Sequence, residues 1–316
     1  MNDQRVKVLY VAGSGRSGTT VISHILDQLD RVFAGGELRF LWQRGVVEDH
    51  LCGCGRPFSD CPFWTAVMAE VYGKRPESDV LDADAIGRRL LSRLRVLRVP
   101  AMLMRRSLGR SPVPGHADDQ TIRRLYDAIL KVTRAKVIVD SSKLPPYGLL
   151  LSQQPNIDLY VLHVVRDSRA TAFSWLRKKE SLDYGDDGEL MPQMQTWKSS
   201  LLWLWWNFVT FIAWRRGRYL RVRYEDFVAD PKAAMTSIAD LIDVDCADLP
   251  FASPTSVRLA PAHFVAGNPN RHTTGAIEIR PDNEWRDVMP AKHFSTVTAL
   301  TSPGLLSFGY SLGRRR

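Results

Sequence analysis

The sequence lacks a hydrophobic run long enough to cross a bilayer. Its most apolar window, Leu201–Trp214, has 14 residues, whereas a membrane-spanning helix needs about 20. A buried helix is therefore predicted there. The first residues also lack an apolar leader and a small-residue cleavage site, and they run directly into an apolar strand pattern. We therefore expect a cytoplasmic protein.

Cysteine is scarce, with four in 316 residues. Three of them, Cys52, Cys54 and Cys61, lie close to His50 in the stretch HLCGCGRPFSDCPFW. Stable disulfides are disfavoured in a cytosolic chain. The C-x-C spacing also departs from the pairs typical of zinc sites. Reduced structural thiols are the first interpretation, and a Cys₃His zinc site is the alternative.

Acidic residues are outnumbered: 34 Asp and Glu stand against 43 Lys and Arg, a net charge of +9. Such a charge attracts anions without specifying which. The segment 88–110, called the Arg-rich segment below, contains arginines interleaved with leucines and no acidic residue. This spacing predicts basic amphipathic helices. They are either a solvated face or a surface that contacts an anionic or amphiphilic acceptor or a membrane.

Signatures of nucleic-acid binding are also missing. The Arg-rich segment has no interleaved aromatic residues, and the chain contains no motif of a nucleic-acid-binding fold. We therefore expect no nucleic-acid partner. A non-catalytic module that binds polyanions or a membrane surface remains a hypothesis that rests on charge alone.

A glycine-rich loop follows the first apolar run of the chain. The residues GSGRSGTT, Gly13–Thr20, come directly after Val6–Ala12 and before the helix-like stretch Val21–Leu26. Glycines allow the backbone to approach an anion closely, and the N–H groups of the first helical turn then point towards it. The loop is therefore predicted to bind phosphate.

This loop differs from a nucleotide-hydrolase loop at one position. The pattern G-x-x-x-x-G-K-[ST] is met at Gly13, Gly18 and Thr20, but Thr19 replaces the lysine. Arg16 is then the local cation, which suits a single 5′-phosphate. A P-loop nucleotide-dependent kinase is disfavoured by this substitution but is kept as an alternative.

Further apolar runs indicate a parallel sheet. Residues 136–140, 159–165 and 219–223 are rich in β-branched residues, and helix-like stretches follow them, as at 168–179 and 231–242. Alternating strands and helices predict a P-loop-like, doubly wound α/β fold in which helices flank a parallel sheet. We expect a single domain over 1–316, with an inserted Arg-rich helical lid at about 74–120.

Polar residues follow the predicted strands. Gly35-Gly36-Glu37 comes after a probable strand near 32–34, Asp140–Lys143 after the next, and Arg166–Ser168 after the one at 159–165. Ligands of open α/β sheets bind beyond the carboxyl ends of the strands. These clusters and the Gly13–Thr20 loop are therefore expected to meet in one crevice.

The segments GSGRSGTT and HVVRDSRATAFSW together resemble the sulfotransferases that use 3′-phosphoadenosine 5′-phosphosulfate (PAPS), especially their bacterial branch. The stretches RVRYEDFVADP, GNPNRHTTG and DNEW agree with that family. The resemblance implies PAPS as sulfuryl donor, a hydroxyl or amine acceptor, in-line displacement and no catalytic metal.

The resemblance also implies the residues that bind the cofactor. The 5′-phosphosulfate loop comprises Gly15, Arg16, Ser17, Gly18, Thr19 and Thr20. Arg166 and Ser174, eight positions later, are expected to hold the 3′-phosphate, because an arginine at a strand end and a serine two helical turns on can grip one phosphate. Arg271 and Gly275 belong to a loop expected to close over the cofactor.

Glu37 is the predicted general base, since it follows a strand end where related sulfotransferases place a carboxylate. A base near 140–143 is the alternative, and Glu37 as a helix cap is another interpretation. Lys143 and Arg16 are predicted to stabilise the sulfonate or leaving phosphate. His163 lies within an apolar strand and is interpreted as a core histidine.

The sequence does not specify the acceptor. A small molecule, a carbohydrate or a lipid-linked compound is expected, bound by the lid, by residues 40–42 and by residues 184–194, with peripheral membrane contact through the Arg-rich lid. Lys292, Thr296 and Val297 match part of a dimerisation pattern of some sulfotransferases, but Thr301 replaces its final glutamate. A monomer or weak homodimer is expected.

Overall fold

The computed structural model of the chain describes residues 5–73, 76–178 and 192–314. A five-stranded, all-parallel sheet lies at its centre, in the strand order β2-β3-β1-β4-β5. The strands are β1 (Val6–Ala12), β2 (Val32–Gly36), β3 (Val137–Lys143), β4 (Ile157–Val165) and β5 (Tyr219–Arg223). Their apolar, β-branched runs suit a sheet that is covered on both faces.

Helices connect and flank these strands. Several begin with proline, whose fixed φ and missing N–H suit the first helical turn. The helices are α1 (Thr19–Leu26), α2 (Pro62–Tyr72), α3 (Pro76–Arg93), α4 (Val99–Ser107), α5 (Asp118–Thr133), α6 (Pro145–Ser152), α7 (Ser168–Leu176), α8 (Thr196–Trp214), α9 (Tyr224–Ala229), α10 (Pro231–Ile242), α11 (Trp285–Val288) and α12 (Ala291–Ser307). Strands β6 (Ser256–Leu259) and β7 (Gly275–Glu278) form an antiparallel pair.

The hydrophobic core divides into two layers, one on each face of the sheet. Successive residues of a strand point to opposite faces. Val8 and Tyr10 of β1 accordingly join the layer that contains α2, α3, α5 and α6, whereas Leu9 and Val11 join the layer that contains α1 and α10. The prediction of a doubly wound, P-loop-like α/β fold is confirmed.

Strand order determines which loops meet. Strands β2, β3, β1 and β4 are adjacent, so their carboxyl ends lie side by side. The register shifts after Tyr10, which pairs with Asp140, so that Ala12 pairs with Lys143. A similar shift between Ala34 and Gly36 ends β2. The edge that carries the predicted site therefore contains local irregularities in both strands that flank β3.

The Arg-rich segment is helical over most of its length, as α3 and α4, and amphipathic as expected. Leu90 and Leu94 are buried in the core, whereas Arg95, Arg98 and Arg110 are exposed. Residues 74–75 of the predicted lid lie outside the described residues. A role of this segment as a lid remains a prediction.

Helix α8 contains the most apolar window of the chain. The prediction of a helix is confirmed, but the expectation that it is buried holds for one face only. Leu201, Trp205 and Ile212 are 47%, 38% and 57% exposed, because they face a groove and not the core. Among the helices that the structure describes, none is both long and apolar enough to cross a membrane.

Candidate active site

The Gly13–Thr20 loop connects β1 to α1 and needs glycine at two positions. Gly13 has φ of 132°, and a Cβ there would lie 2.2 Å from the Val164 carbonyl oxygen. Gly18 precedes α1 with φ of 83°. L residues rarely adopt such angles. The loop can therefore bring the amino end of α1 to the sheet edge, where its N–H groups favour an anion.

Arg16 lies within this loop in the left-handed region, with φ of 67°. Its guanidinium lies 4.7 Å from the ring centroid of Trp175, and its carbonyl oxygen accepts a hydrogen bond of 3.1 Å from Arg166. Non-glycine residues with this backbone geometry concentrate at functional sites. Both contacts hold the predicted loop cation at the cavity wall.

Arg166 directly follows β4 and is 6% exposed. Its Nη2 donates to Asp282 Oδ2 at 3.0 Å, and its guanidinium lies 4.3 Å from the ring centroid of Tyr224. Asp282 also accepts a hydrogen bond of 3.1 Å from Arg177. Burial favours a higher pKa for Asp282, but the two arginines outweigh it and lower the pKa. A carboxylate is therefore already bound to the predicted phosphate-binding arginine.

Glu37 and Lys143 form an ion pair at the ends of β2 and β3. Lys143 Nζ donates to Glu37 Oε1 at 2.7 Å and to the Ser141 carbonyl oxygen at 3.0 Å. Burial raises the pKa of Glu37, but the positive charges of Lys143 and Arg39 lower it more, so that the net shift is downward. Glu37 is therefore a carboxylate at neutral pH. Lys143, with φ of 64°, is a second cation in the left-handed region.

These groups surround one cavity of about 460 Å³. Most of the predicted site residues line it, and they come from four different strand ends, as the expected crevice requires. The lining includes Gly15, Arg16, Gly18, Thr19, Thr20, Glu37, Lys143, Arg166 and Ser174. The functions that the sequence assigns to these residues remain predictions.

Three of the predicted cofactor-binding residues lie outside this lining. The Ser17 hydroxyl donates to the Ser14 carbonyl oxygen. The buried Arg271 side chain donates to the carbonyl oxygens of Gly267 and Leu51, both at 3.2 Å. It so supports from beneath the loop 267–275, called the cofactor loop below after its predicted function. Gly275 is exposed at the start of β7. Because these three residues do not line the cavity, their direct contact with a cofactor stays a prediction.

The alternative base near 140–143 has a different environment. Asp140 is fully buried and accepts hydrogen bonds from Tyr126 Oη at 2.6 Å and from the Ser142 amide at 2.9 Å. Burial raises its pKa to about 6. Asp140 does not line the cavity, which favours Glu37 as the base.

His163 is a core histidine, as its position in an apolar strand indicates. Its two ring nitrogens lie 2.7 Å from Tyr219 Oη and 2.8 Å from Asn207 Oδ1. Burial lowers its pKa to about 4, so the ring is neutral and both nitrogens have partners.

Several residues of the cavity wall were not predicted. They are Arg39, Arg44, Trp175, Trp206, Tyr224, Asn268, Asn270 and Asp282. Some lie within segments already singled out: Trp175 follows Ser174, Tyr224 lies in RVRYEDF, and Asp282 begins DNEW. Their position within these segments was the available signal. Residues 184–191 of the predicted acceptor-binding stretch lie outside the described residues, but Pro192 and Met194 line the cavity.

Comparison with known proteins points to one family. A sequence model described as the sulfotransferase family matches residues 116–248. Human carbohydrate sulfotransferase 3 is 28% identical over an alignment of 182 residues that covers 52% of this chain and 36% of that protein. The chain thus spans little more than a third of that relative.

Two solved structures share the fold. The sulfotransferase domain of the Synechococcus PCC 7002 olefin synthase has a TM-score of 0.50 at 17% identity, with 98% of this chain and 97% of that chain covered. The sulfotransferase domain of the curacin biosynthetic pathway has a TM-score of 0.53 at 14% identity, with 98% and 100% covered. The family model and the human relative are thus similar to part of this chain in sequence, and the two solved structures share its fold.

Proposed function

We propose that the chain transfers the sulfuryl group of PAPS to a hydroxyl or amine acceptor. The family and the fold support sulfuryl transfer in general. One observation carries the finer proposal: a single cavity is lined by the phosphate loop with Arg16, by Arg166 with Ser174, and by the Glu37–Lys143 pair.

The cavity suits a donor with two separate phosphate positions. The amino end of α1 and Arg16 form one anion site, and Arg166 with Ser174, from β4 and α7, forms another. These would hold the 5′-phosphosulfate and the 3′-phosphate respectively. PAPS, when bound, supplies the sulfuryl group. The loop has threonine, not lysine, at the position that contacts β- and γ-phosphates in kinases.

The Glu37–Lys143 pair supports in-line displacement. The acceptor oxygen or nitrogen attacks sulfur, the bond from sulfur to the phosphate oxygen breaks, and its electron pair stays on that phosphate. Glu37 takes the acceptor proton, since its lowered pKa keeps it ionised. Lys143 and Arg16 neutralise charge that develops on the leaving phosphate. Lys143 would thus exchange its contact with Glu37 for one with the phosphate.

A second, apolar groove of about 860 Å³ favours an amphiphilic acceptor. Leu202 lines both this groove and the catalytic cavity, so the two are neighbours at this residue. The groove lies between α8 and the segment that contains Val96 and Leu103, and Lys198 is its one charged residue among the described lining. We infer that the groove receives the alkyl chain of an amphiphilic acceptor whose head group enters the cavity.

An alkyl-chain series tests this acceptor class. Methyl, butyl and octyl β-glucosides share one head group, and each buried methylene contributes about 0.8 kcal/mol. The KM should therefore fall with chain length, by up to about fourfold per methylene, and Trp205→Ala should weaken this dependence. Leu306→Ala changes an exposed leucine of α12 outside the groove and serves as control. A KM independent of chain length would contradict the inference.

The donor is tested by calorimetric titration with adenosine 3′,5′-bisphosphate and, in parallel, with ATP and magnesium. The bisphosphate should bind, and Arg166→Ala should weaken it. Arg218→Ala, at the opposite end of the sheet and paired with Asp158, should bind as the unmodified protein does. Preferential binding of ATP would contradict the proposal and favour the kinase.

A further inference from the structure

Four metal-ligating side chains meet in a cluster apart from the catalytic cavity lining. Cys52, Cys54, Cys61 and His263 place their sulfur and nitrogen atoms within 4.8 Å of one another. His263 lies 202 positions beyond Cys61, so its proximity could not be predicted from the sequence. The histidine next to the cysteines, His50, was the expected fourth member, but its Nε2 lies 3.0 Å from Glu48 Oε2.

Three of the six distances between these ligand atoms are close to the edges of a tetrahedron around a metal ion. Zinc binds thiolate sulfur at about 2.3 Å and imidazole nitrogen at about 2.0 Å, which sets sulfur–sulfur edges near 3.8 Å and sulfur–nitrogen edges near 3.5 Å. Cys54 Sγ lies 3.8 Å from Cys61 Sγ. His263 Nδ1 lies 3.3 Å from Cys61 Sγ and 3.7 Å from Cys52 Sγ. We propose that these four residues bind a structural zinc ion.

The backbone holds the two closely spaced cysteines in a tight turn. The Gly55 amide donates to the Cys52 carbonyl oxygen, and the Cys52 amide donates to the Arg56 carbonyl oxygen, both at 2.8 Å. Between the cysteines, Gly53 packs so closely that a Cβ would lie 2.6 Å from the Ala262 carbonyl oxygen. The turn therefore presents both thiols towards the segment that carries His263.

The other two ligands are also oriented by their surroundings. Cys61 directly precedes the first residue of α2. The Phe63 ring stacks on the His263 ring at a centroid distance of 4.8 Å and an angle of 17°. Both the sulfur and the imidazole are therefore positioned before any metal binds, which reduces the entropy lost on binding.

A disulfide does not account for this geometry. All four cysteines of the chain are free, and the sulfurs of Cys54 and Cys61 are far beyond the S–S bond length of about 2.05 Å. A disulfide would also use only two of the three thiols. Four protein ligands complete the coordination of zinc, so the ion has no open position for substrate and its function is structural.

The zinc site would connect the 51–61 loop to the cofactor loop. The Gly53 amide donates to the Phe264 carbonyl oxygen at 2.9 Å, and the Glu37 amide donates to that of Ala266 at 3.3 Å. Gly267 and Asn268, which follow directly, line the catalytic cavity. A metal ion at His263 therefore fixes the segment from which the cofactor loop extends.

The first test is metal content. Protein purified anaerobically with reductant should contain about one zinc ion per chain by elemental mass spectrometry, and replacement by Co²⁺ should give the intense visible bands of a tetrahedral thiolate complex. Failure of the reduced native protein to bind zinc or cobalt would overturn the proposal. A Cys54–Cys61 disulfide in that protein would overturn it as well.

Variants then identify the ligands. Cys61→Ser and His263→Ala should lose stoichiometric zinc, whereas Cys246→Ser, a matched change of the remaining cysteine, should retain it. His263→Cys supplies a fourth thiolate and should restore binding, which separates loss of a ligand from loss of folding. Retention of zinc by folded His263→Ala, with loss in His50→Ala, would contradict the ligand set proposed here.

Discussion

Two regions of the molecule concentrate positive charge, and they differ in burial. At the carboxyl edge of the sheet, Lys143 and Arg166 are buried and contact carboxylates. In the Arg-rich segment, Arg95, Arg98 and Arg110 are exposed. The second region contributes more arginines to the net charge, but in the part of the chain that the structure describes its arginines line neither the cavity nor the apolar groove, whereas Lys143 and Arg166 line the cavity. The count of charges therefore does not locate the site, whereas burial does.

The energetic reason is the cost of dehydrating a charge. Removing an ion from water costs several kcal/mol in a folded protein unless partners compensate it. Pairs between exposed charges contribute only about 0–1 kcal/mol. A buried cation beside a cavity is therefore expensive to maintain without a function, whereas an exposed arginine is not.

Glu37→Gln should have the largest effect, because it removes the proposed base from the buried region while the side chain keeps its size and shape. We expect kcat to fall about 10²- to 10⁴-fold, with bisphosphate affinity changed about threefold or less. Initial rates with the best glucoside acceptor and calorimetric titration measure the two quantities. An unchanged kcat would instead support a non-catalytic binding protein or another base.

Arg166→Ala removes a cation of the buried region, and its effect is compared with that of Arg98→Ala in the exposed region. Bisphosphate affinity should fall about ten- to a hundredfold, since a hydrogen bond to a charged group contributes about 1.5–3 kcal/mol. Arg98→Ala, in the exposed region, should change it less than about twofold. Equal losses in the two variants would show that overall charge, and not the buried edge, binds the anion.

Lys143→Met should alter the pH dependence of kcat/KM. In the unmodified protein the pKa of Glu37 lies below its usual 4.5, so the rate is retained above that value and falls as pH drops through the lowered pKa. Removing the ammonium leaves burial to dominate, which raises the pKa and moves the acidic limb to higher pH. Lys131→Met, which changes an exposed pair with Glu70, is the control. If the acidic limb lies at the same pH in both variants, the Glu37–Lys143 pair does not determine its position.

Two ion-pair variants, Asp119→Asn and Asp84→Asn, should have the smallest effects. Arg93 Nη1 lies 2.7 Å from Asp119 Oδ1, with both side chains about one-tenth exposed. Because this pair holds α3 against α5, its loss should lower the free energy of unfolding by about 1–2 kcal/mol. The more exposed Arg88–Asp84 pair should contribute only about 0.3–0.5 kcal/mol, tested by Asp84→Asn. Urea unfolding measures both, and equal losses would contradict the distinction by burial.

Local patterns in the sequence predicted much of the fold. The apolar run 219–223 and the helix at 231–242 match β5 and α10 residue for residue, because periodicity and Pro231 at the helix start are local signals. The lining of the cavity by Arg16, Glu37, Lys143 and Arg166 follows from one rule, that parallel strands present their carboxyl ends on one edge.

Contacts distant in sequence were not predictable in the same way. His263 reaches the cysteines through the tertiary fold, and no periodicity connects residues more than 200 positions apart. The exposed face of α8 was missed because apolar residues lie on both the buried and the exposed face of this helix, so hydrophobicity alone cannot distinguish a core face from a groove. The pairing of Asp282 with Arg166 depends likewise on tertiary proximity.

In the proposed function, Asp282 competes with an incoming phosphate for the guanidinium of Arg166. A carboxylate tethered beside a cation acts at a high effective concentration, on the order of millimolar or above. An incoming phosphate that uses Nη2 must therefore exchange with Asp282 and not merely with water. When a product phosphate departs, the same carboxylate can take its place. In the proposed function the pair would thus lower the affinity for the phosphate while easing its release, and it would keep the buried Arg166 partnered between turnovers.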